Sequence, residues 1–187
     1  MTPITLAVGA ELLRRLSAKG YRPILVGGLA IEAAGFGGTK DVDAFVRVEE
    51  FDAIEFLKGE GFHVISSAGW ITNGQLTLPD GTRIPFDILN PRKYVGPRHT
   101  GVELYAYVER TATKARYGLV ATPGVVYYTR LLVEGPHGES YIERIRRDLE
   151  GGAPTDWLRD ALKIAAEFGT ESKVKPKVNR ILREFTQ

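Results

Sequence analysis

Two aspartates stand inside an apolar segment, Asp41 and Asp43 in "DVDAFV", and a third, Asp87, stands in "IPFDIL". Residues two apart in a strand face the same side, so Asp41 and Asp43 project together with Cα atoms roughly 6.6 Å apart at ~3.3 Å rise per residue. If the strand carrying Asp87 is a neighbour, three carboxylates converge. Bare carboxylates about 4 Å apart repel by ~4 kcal/mol per pair at an effective dielectric near 20, which raises their pKa values or opens the site. A divalent cation reverses that sign. Hard Mg²⁺, or Mn²⁺ in its place, takes carboxylate, water and phosphate oxygens, and two such ions ~3.5–4 Å apart suit in-line attack at phosphorus. Asp41, Asp43 and Asp87 are therefore candidate catalytic residues and metal ligands.

Upstream, "ILVGGLAIEAAG" runs from an apolar stretch through Gly27-Gly28 into a small-residue helix. A backbone without side-chain bulk at a helix start offers N–H groups to phosphate. A lone Gly-Gly is a weak signal; joined to D-x-D after the next loop and a third Asp beyond, it is much more specific. Gly27, Gly28, Thr39 and Lys40 are candidate nucleotide-binding residues, a set that the family resemblance described below extends to Arg130. Each has a plainer alternative: Thr39 as a tie within its loop, Lys40 as a solvated lysine on the opposite strand face, Arg130 as a helix-surface charge. Likewise Asp41 and Asp43 read alternatively as a solvated strand end, and Asp87 as a turn cap before Asn90-Pro91. Trp70, Trp157, Tyr127 and Tyr128 read as packing residues. His63, His99 and His137 lack metal-ligand spacing, and Lys173, Lys175 and Lys177 read as a solvated face or as phosphate contacts.

The elements that must position these residues follow from periodicity. A helix is expected from Thr2-Pro3 to Gly20, a strand over "RPILVGG", a helix over "LAIEAAG" and a strand over "DVDAFVRV". "EEFDAIEFLKGEG" has helical spacing, "FHVIS" reads as a strand, and "QLTLPDGTRIPFDIL" as a hairpin around 79–82. "GVELYAYVERTATKARYGLVATP" reads as further strands or an irregular connection. Helices are expected over 124–133, 139–150, 155–168 and 173–185.

At 187 residues the chain can bury a sizeable core. With 43% hydrophobic and 26% charged residues it fits neither disorder nor a membrane span, and no apolar run approaches ~20 residues. The start lacks the features of a secretory signal, so a cytoplasmic location is expected, with no membrane partner. Cysteine is absent, which excludes disulfides and thiolate chemistry. A net charge of +2 does not announce nucleic acid. The arginines of the later part, Arg130, Arg144, Arg146 and Arg147 among them, nevertheless allow a local basic surface.

The pattern "LVGGLAIEAAGFGGTKDVDAFV", with an acid in the later strand "IPFDIL", resembles the nucleotidyltransferase superfamily with the DNA polymerase β-like fold. Within it, the pattern is similar to the AbiEii-like and minimal nucleotidyltransferases of prokaryotic toxin–antitoxin systems. The resemblance covers roughly the first 90 residues. It implies an α+β fold, a mixed sheet flanked by helices, with a core over 1–120 and a C-terminal helical region over 121–187. It implies Gly27 and Gly28 at an NTP triphosphate, Asp41 and Asp43 holding two Mg²⁺, and Asp87 as third ligand and base for the incoming hydroxyl. The acceptor would be a tRNA 3′ end, a protein hydroxyl or a small molecule, with a cognate toxin or antitoxin as protein partner. "TPGVVYYTRLL" looks like the helix in which relatives carry a phosphate-reaching lysine, a place taken here by Arg130. Where many relatives have an arginine before the threonine, this chain has Gly38. A catalytically inactive binding module of the same fold is the alternative; a dinucleotide-binding reading lacks the G-x-G-x-x-G spacing and leaves the buried acids unexplained.

Overall fold

The structure is a computed structural model, and it describes residues 6–39, 41–47, 61–116 and 118–185. The helix start at Thr2-Pro3, residue Lys40 and the helix expected over 49–60 lie outside the described residues. Helix α1 (Leu6–Ala18) buries Leu12, Leu13 and Leu16 and ends before Gly20, whose φ of +89° suits glycine. Strand β1 (Ile24–Val26) runs directly into the short helix α2 (Gly27–Ala33), and β2 (Val42–Phe45) follows the glycine-rich link. Next come β3 (Phe62–Ala68), β4 (Ile71–Thr77), β5 (Arg83–Leu89) and a 3₁₀ turn at Pro91–Tyr94. Leu78, Asp80 and Gly81 close the β4–β5 hairpin as the Pro-Asp-Gly chemistry predicts.

The segment after Thr100 differs from expectation. Gly101–Thr111 is a helix, α3, followed by β6 (Thr113–Ala115) and β7 (Gly118–Val120). A capping box starts α3: Thr100 Oγ1 accepts from the Glu103 N–H, and Glu103 Oε2 accepts from the Thr100 N–H at 2.6 Å. Four helices complete the chain, α4 (Pro123–Leu132), α5 (Gly135–Glu150), α6 (Asp156–Glu167) and α7 (Glu171–Phe185), each within a few residues of its expected span.

The seven strands form one mixed sheet in the order β3-β4-β5-β2-β1-β7-β6, flanked by helices and followed by a helical C-terminal part. β2 lies parallel to β5 and antiparallel to β1, and β1 lies parallel to β7. Alternation divides the central strands: Val42, Ala44, Phe86 and Ile88 are fully buried, with Val42 turned toward α1 at Gly9. Asp43, Phe45, Asp87 and Leu89 occupy the other face and line a cavity together with Thr129 of α4 and Tyr141 of α5.

Helix α4 is the central post, with Val125, Val126, Tyr127, Tyr128 and Leu131 fully buried. Tyr128 donates its hydroxyl to the carbonyl of Tyr94, tying α4 to the 3₁₀ turn after β5, and Gly124 allows α6 to approach at Asp160. Lys177 of α7 donates to the carbonyls of Leu131 and Val133 at 2.6 and 2.7 Å, closing the C-terminal end of α4. Lys173 and Lys175 pair with Glu134 and Glu171. No helix among the described residues is long and apolar enough to cross a membrane.

Candidate active site

Register brings the acids together. In the β2–β5 ladder Asp43 stands directly opposite Asp87, and on its other side Asp43 stands opposite Val26, the last residue of β1. Asp41 lies one residue before β2 and turns to the same place. One carboxylate oxygen from each of Asp41, Asp43 and Asp87 lies within 4.8 Å of the others, the group among the described residues best arranged to hold a metal ion. The solvated-strand-end and turn-cap readings of these acids are thereby replaced by a half-buried cluster.

The glycines make room for it. Gly27 has φ of +63°, and a Cβ built there would land on Asp43 Oδ2. A Cβ at Gly28 would come 2.5 Å from Thr39 Cβ. The Gly28 N–H donates to the Asp43 carboxylate. That N–H thus supports one acid of the cluster. Thr39 acts as the loop tie: its hydroxyl donates to Asp41 Oδ1 at 2.6 Å, fixing that carboxylate.

Electrostatics carry the cost of this convergence. Burial first, then the charges of Asp41 and Asp87, push the Asp43 carboxyl up to about 8, against the pull of Arg130 and the Gly28 N–H. Burial and then the charge of Asp41 also raise Asp87. Such a cluster retains protons unless a cation takes their place. The donor set is entirely carboxylate oxygen, and Gly27 leaves the space a side chain would fill. These residues fit a hard divalent cation, with Asp41, Asp43 and Asp87 as its ligands.

Two cavities meet at the triad. The larger, about 640 Å³, is lined by Gly28, Thr39, Asp41, Arg130, Arg144 and Arg147, with Asp148 beside them. The smaller, about 260 Å³, has Asp43 and Asp87 in its wall with Trp70, Lys93, His137 and Tyr141. Gly28, Asp41, Arg130 and Arg144 border both. Arg130 is 7% exposed, which removes its reading as a surface charge. Its Nη1 lies 3.5 Å from Asp148 Oδ2. Tyr141 sits between Arg130 and Arg144, whose Cζ atoms are 5.9 and 5.6 Å from its ring centre.

Several of these residues carry no motif. His137, Tyr141, Arg144 and Asp148 fall at intervals of four, three and four along α5, one polar stripe on an amphipathic helix, a signal visible in "HGESYIERIRRD". Trp70 is drawn to the site by a turn. The Asn90 N–H donates to the Trp70 carbonyl at 2.8 Å, Arg92 donates to the Gly69 carbonyl at 2.6 Å, and Lys93 Nζ stands 2.9 Å from the Trp70 ring centre. Tyr127 and Tyr128 are packing residues as read, their rings wholly buried, and Trp157 packs on Phe36 and Tyr127.

No protein-family model and no curated protein matches the sequence. Solved structures similar to it over nearly the whole chain include an antigenic nucleotidyltransferase-like protein from Paracoccidioides brasiliensis, at 15% identity and a TM-score of 0.49, covering 92% of this chain and 94% of that one. JHP933 from Helicobacter pylori aligns at 11% identity and a TM-score of 0.44, over 98% and 94% of the two chains. ANT(2″)-Ia, in complex with adenylyl-2″-tobramycin, aligns at 12% identity and a TM-score of 0.42, over 93% and 94%.

Proposed function

We propose that this chain is a Mg²⁺-dependent nucleotidyltransferase that moves a nucleoside monophosphate from an NTP to a hydroxyl acceptor and releases pyrophosphate. The observation that supports it is the meeting of Asp41, Asp43 and Asp87 at the junction of two cavities, under a wall that holds Arg130 and Arg144. The larger cleft falls within the roughly 300–1,000 Å³ of pockets that enclose a drug-sized ligand, and the smaller falls below it. The NTP accordingly occupies the larger cleft, and the acceptor hydroxyl enters the smaller one beside Asp87.

In this reading Arg130, Arg144 and Arg147 hold the triphosphate, Arg130 from the buried face of α4 and the others from α5. Thr39 keeps the Asp41 carboxylate aimed, and the Gly28 N–H does the same for Asp43. Lys40, next to Thr39 in the sequence, is proposed as the remaining member of the phosphate-side set. Bound at the three acids, two Mg²⁺, or Mn²⁺ in their place, would lower the pKa of the acceptor hydroxyl and offset charge on the departing pyrophosphate. The acceptor oxygen forms its bond to the α-phosphorus as the bond from that phosphorus to the bridging oxygen breaks. Asp87, raised by burial and by Asp41, takes the hydroxyl proton. The acceptor is a tRNA 3′ end, a protein side chain or a small molecule. A toxin–antitoxin role with a cognate partner rests on the sequence resemblance, and the location proposed is the cytoplasm.

The test is transfer of label. The protein is incubated with Mg²⁺ and each labelled NTP in turn, with total tRNA, lysate protein or small hydroxyl compounds. Transfer that disappears in Asp43→Ala and in EDTA is expected; transfer that survives both refutes the metal mechanism. Binding of Mg-NTP without transfer to any acceptor would favour the inactive module.

A further inference from the structure

Arg130 reaches the site from a helix most of whose other residues are buried, and it is held there by a group outside the triad. Asp148 of α5 is 6% exposed, and its Oδ2 receives two contacts: Arg130 Nη1 at 3.5 Å and the Tyr127 hydroxyl, which donates at 3.3 Å. Asp148 Oδ1 faces Gly37, where an added Cβ would sit 3.1 Å away. Both charged groups border the larger cleft. The guanidinium is paired with Asp148 and shares the border of both cavities with Asp41. Its charge is felt at Asp43.

We propose that Asp148, braced by Tyr127, is a positioning residue that draws the Arg130 guanidinium away from the metal-ligand carboxylates and holds it facing the triphosphate in the larger cleft. A buried ion pair of this kind is a poor stabilising device, because desolvating both charges offsets most of their attraction. What it fixes is direction. With Asp148 neutral, the guanidinium is drawn toward the acids of the triad and leaves the cleft wall. The inference rests on the triphosphate occupying that cleft.

Binding of inorganic tripolyphosphate, which carries the anion without ribose or base, and of Mg-ATP is measured by calorimetry on folded wild type, Asp148→Asn, Arg130→Gln and the double variant. Asp148→Asn is expected to weaken tripolyphosphate and Mg-ATP alike, by about tenfold or more, the scale of one hydrogen bond to a charged group. In the Arg130→Gln background the same change should add nothing, because Asp148 acts through that arginine. Tyr127→Phe, a milder change, is expected to weaken tripolyphosphate about threefold and covers the case in which Asp148→Asn fails to fold. Weakening of Mg-ATP with tripolyphosphate unchanged would assign Asp148 to the nucleoside and overturn the proposal, as would additive losses in the double variant. Wild-type protein that binds neither probe overturns both this inference and the nucleotidyltransferase reading. Wild-type binding that Asp148→Asn and Tyr127→Phe leave intact overturns this inference alone.

Discussion

Replacing Asp43 with asparagine should stabilise the metal-free protein at alkaline pH and destabilise it, relative to wild type, when Mg²⁺ is added. Asp43 is held near 8 in the folded chain against 3.8 for an ordinary aspartate. Between those values the folded state keeps a proton that the unfolded state has released, so stability falls as pH rises from about 4 to about 8. Each pH unit is worth about 1.4 kcal/mol, so between pH 5 and pH 8 the loss approaches about 4 kcal/mol. For a chain of this length that is a drop of roughly 10 °C in Tm. Asparagine has the same shape, still accepts from the Gly28 N–H, and carries no charge to repel Asp41 and Asp87. The assay is urea and thermal unfolding of both proteins at pH 5, 6.5 and 8, in EDTA and in saturating Mg²⁺. In EDTA the two curves should lie close at pH 5 and separate in favour of the variant by pH 8. With Mg²⁺ the wild type gains as bound cation displaces the retained proton, and the order reverses. Parallel pH profiles in EDTA, or equal stabilisation of both proteins by Mg²⁺, would refute the electrostatic account of the triad.

Gly27→Ala should combine two penalties, a positive φ that alanine resists and a methyl group placed on the Asp43 carboxylate. It is expected to lower stability by about 2–4 kcal/mol and to abolish Mg²⁺ binding measured by calorimetry. Lys177→Ala should leave nucleotide and metal binding unchanged while exposing the Leu131 and Val133 carbonyls. A loss of about 1–3 kcal/mol in urea unfolding is expected.

The clustered acids were legible in the sequence because a charge inside an apolar strand demands a reason, and because strand alternation fixes which side chains share a face. What alternation cannot supply is pairing. That β5 lies parallel to β2 with Asp87 opposite Asp43 depends on contacts among distant segments, and the sequence could offer it only as a condition. The glycine pair was visible as a helix start, whereas its close fit against Asp43 depends on the pairing of β1 with β2. Helix α3 was missed because Tyr105, Tyr107 and Val102 favour extended backbone, and the capping pair Thr100 and Glu103 outweighs that preference locally.

Arg130 stayed open between a site residue and a surface charge, because an isolated arginine in a helical pattern looks the same whether it faces water or a buried acid. Its partner lies 18 residues away on another helix, and neither residue of the pair is unusual in its own segment. The information was present in α5 as a whole. A helix rich in charged residues that buries Ile142, Ile145 and Leu149 has one face committed to the core. Its remaining stripe, from His137 through Tyr141 and Arg144 to Asp148, then borders whatever the neighbouring helix and sheet leave open. In this fold the opening is the floor of three carboxylates, so the same helix supplies cations to one cavity wall and the acid that restrains Arg130. Charge reversal at Arg144 separates these duties. Arg144→Glu should weaken tripolyphosphate binding about as strongly as Arg130→Gln while leaving urea stability nearly unchanged, since Arg144 is exposed and Arg130 is not. Unaltered tripolyphosphate affinity in Arg144→Glu would mean that the stripe does not face the bound anion.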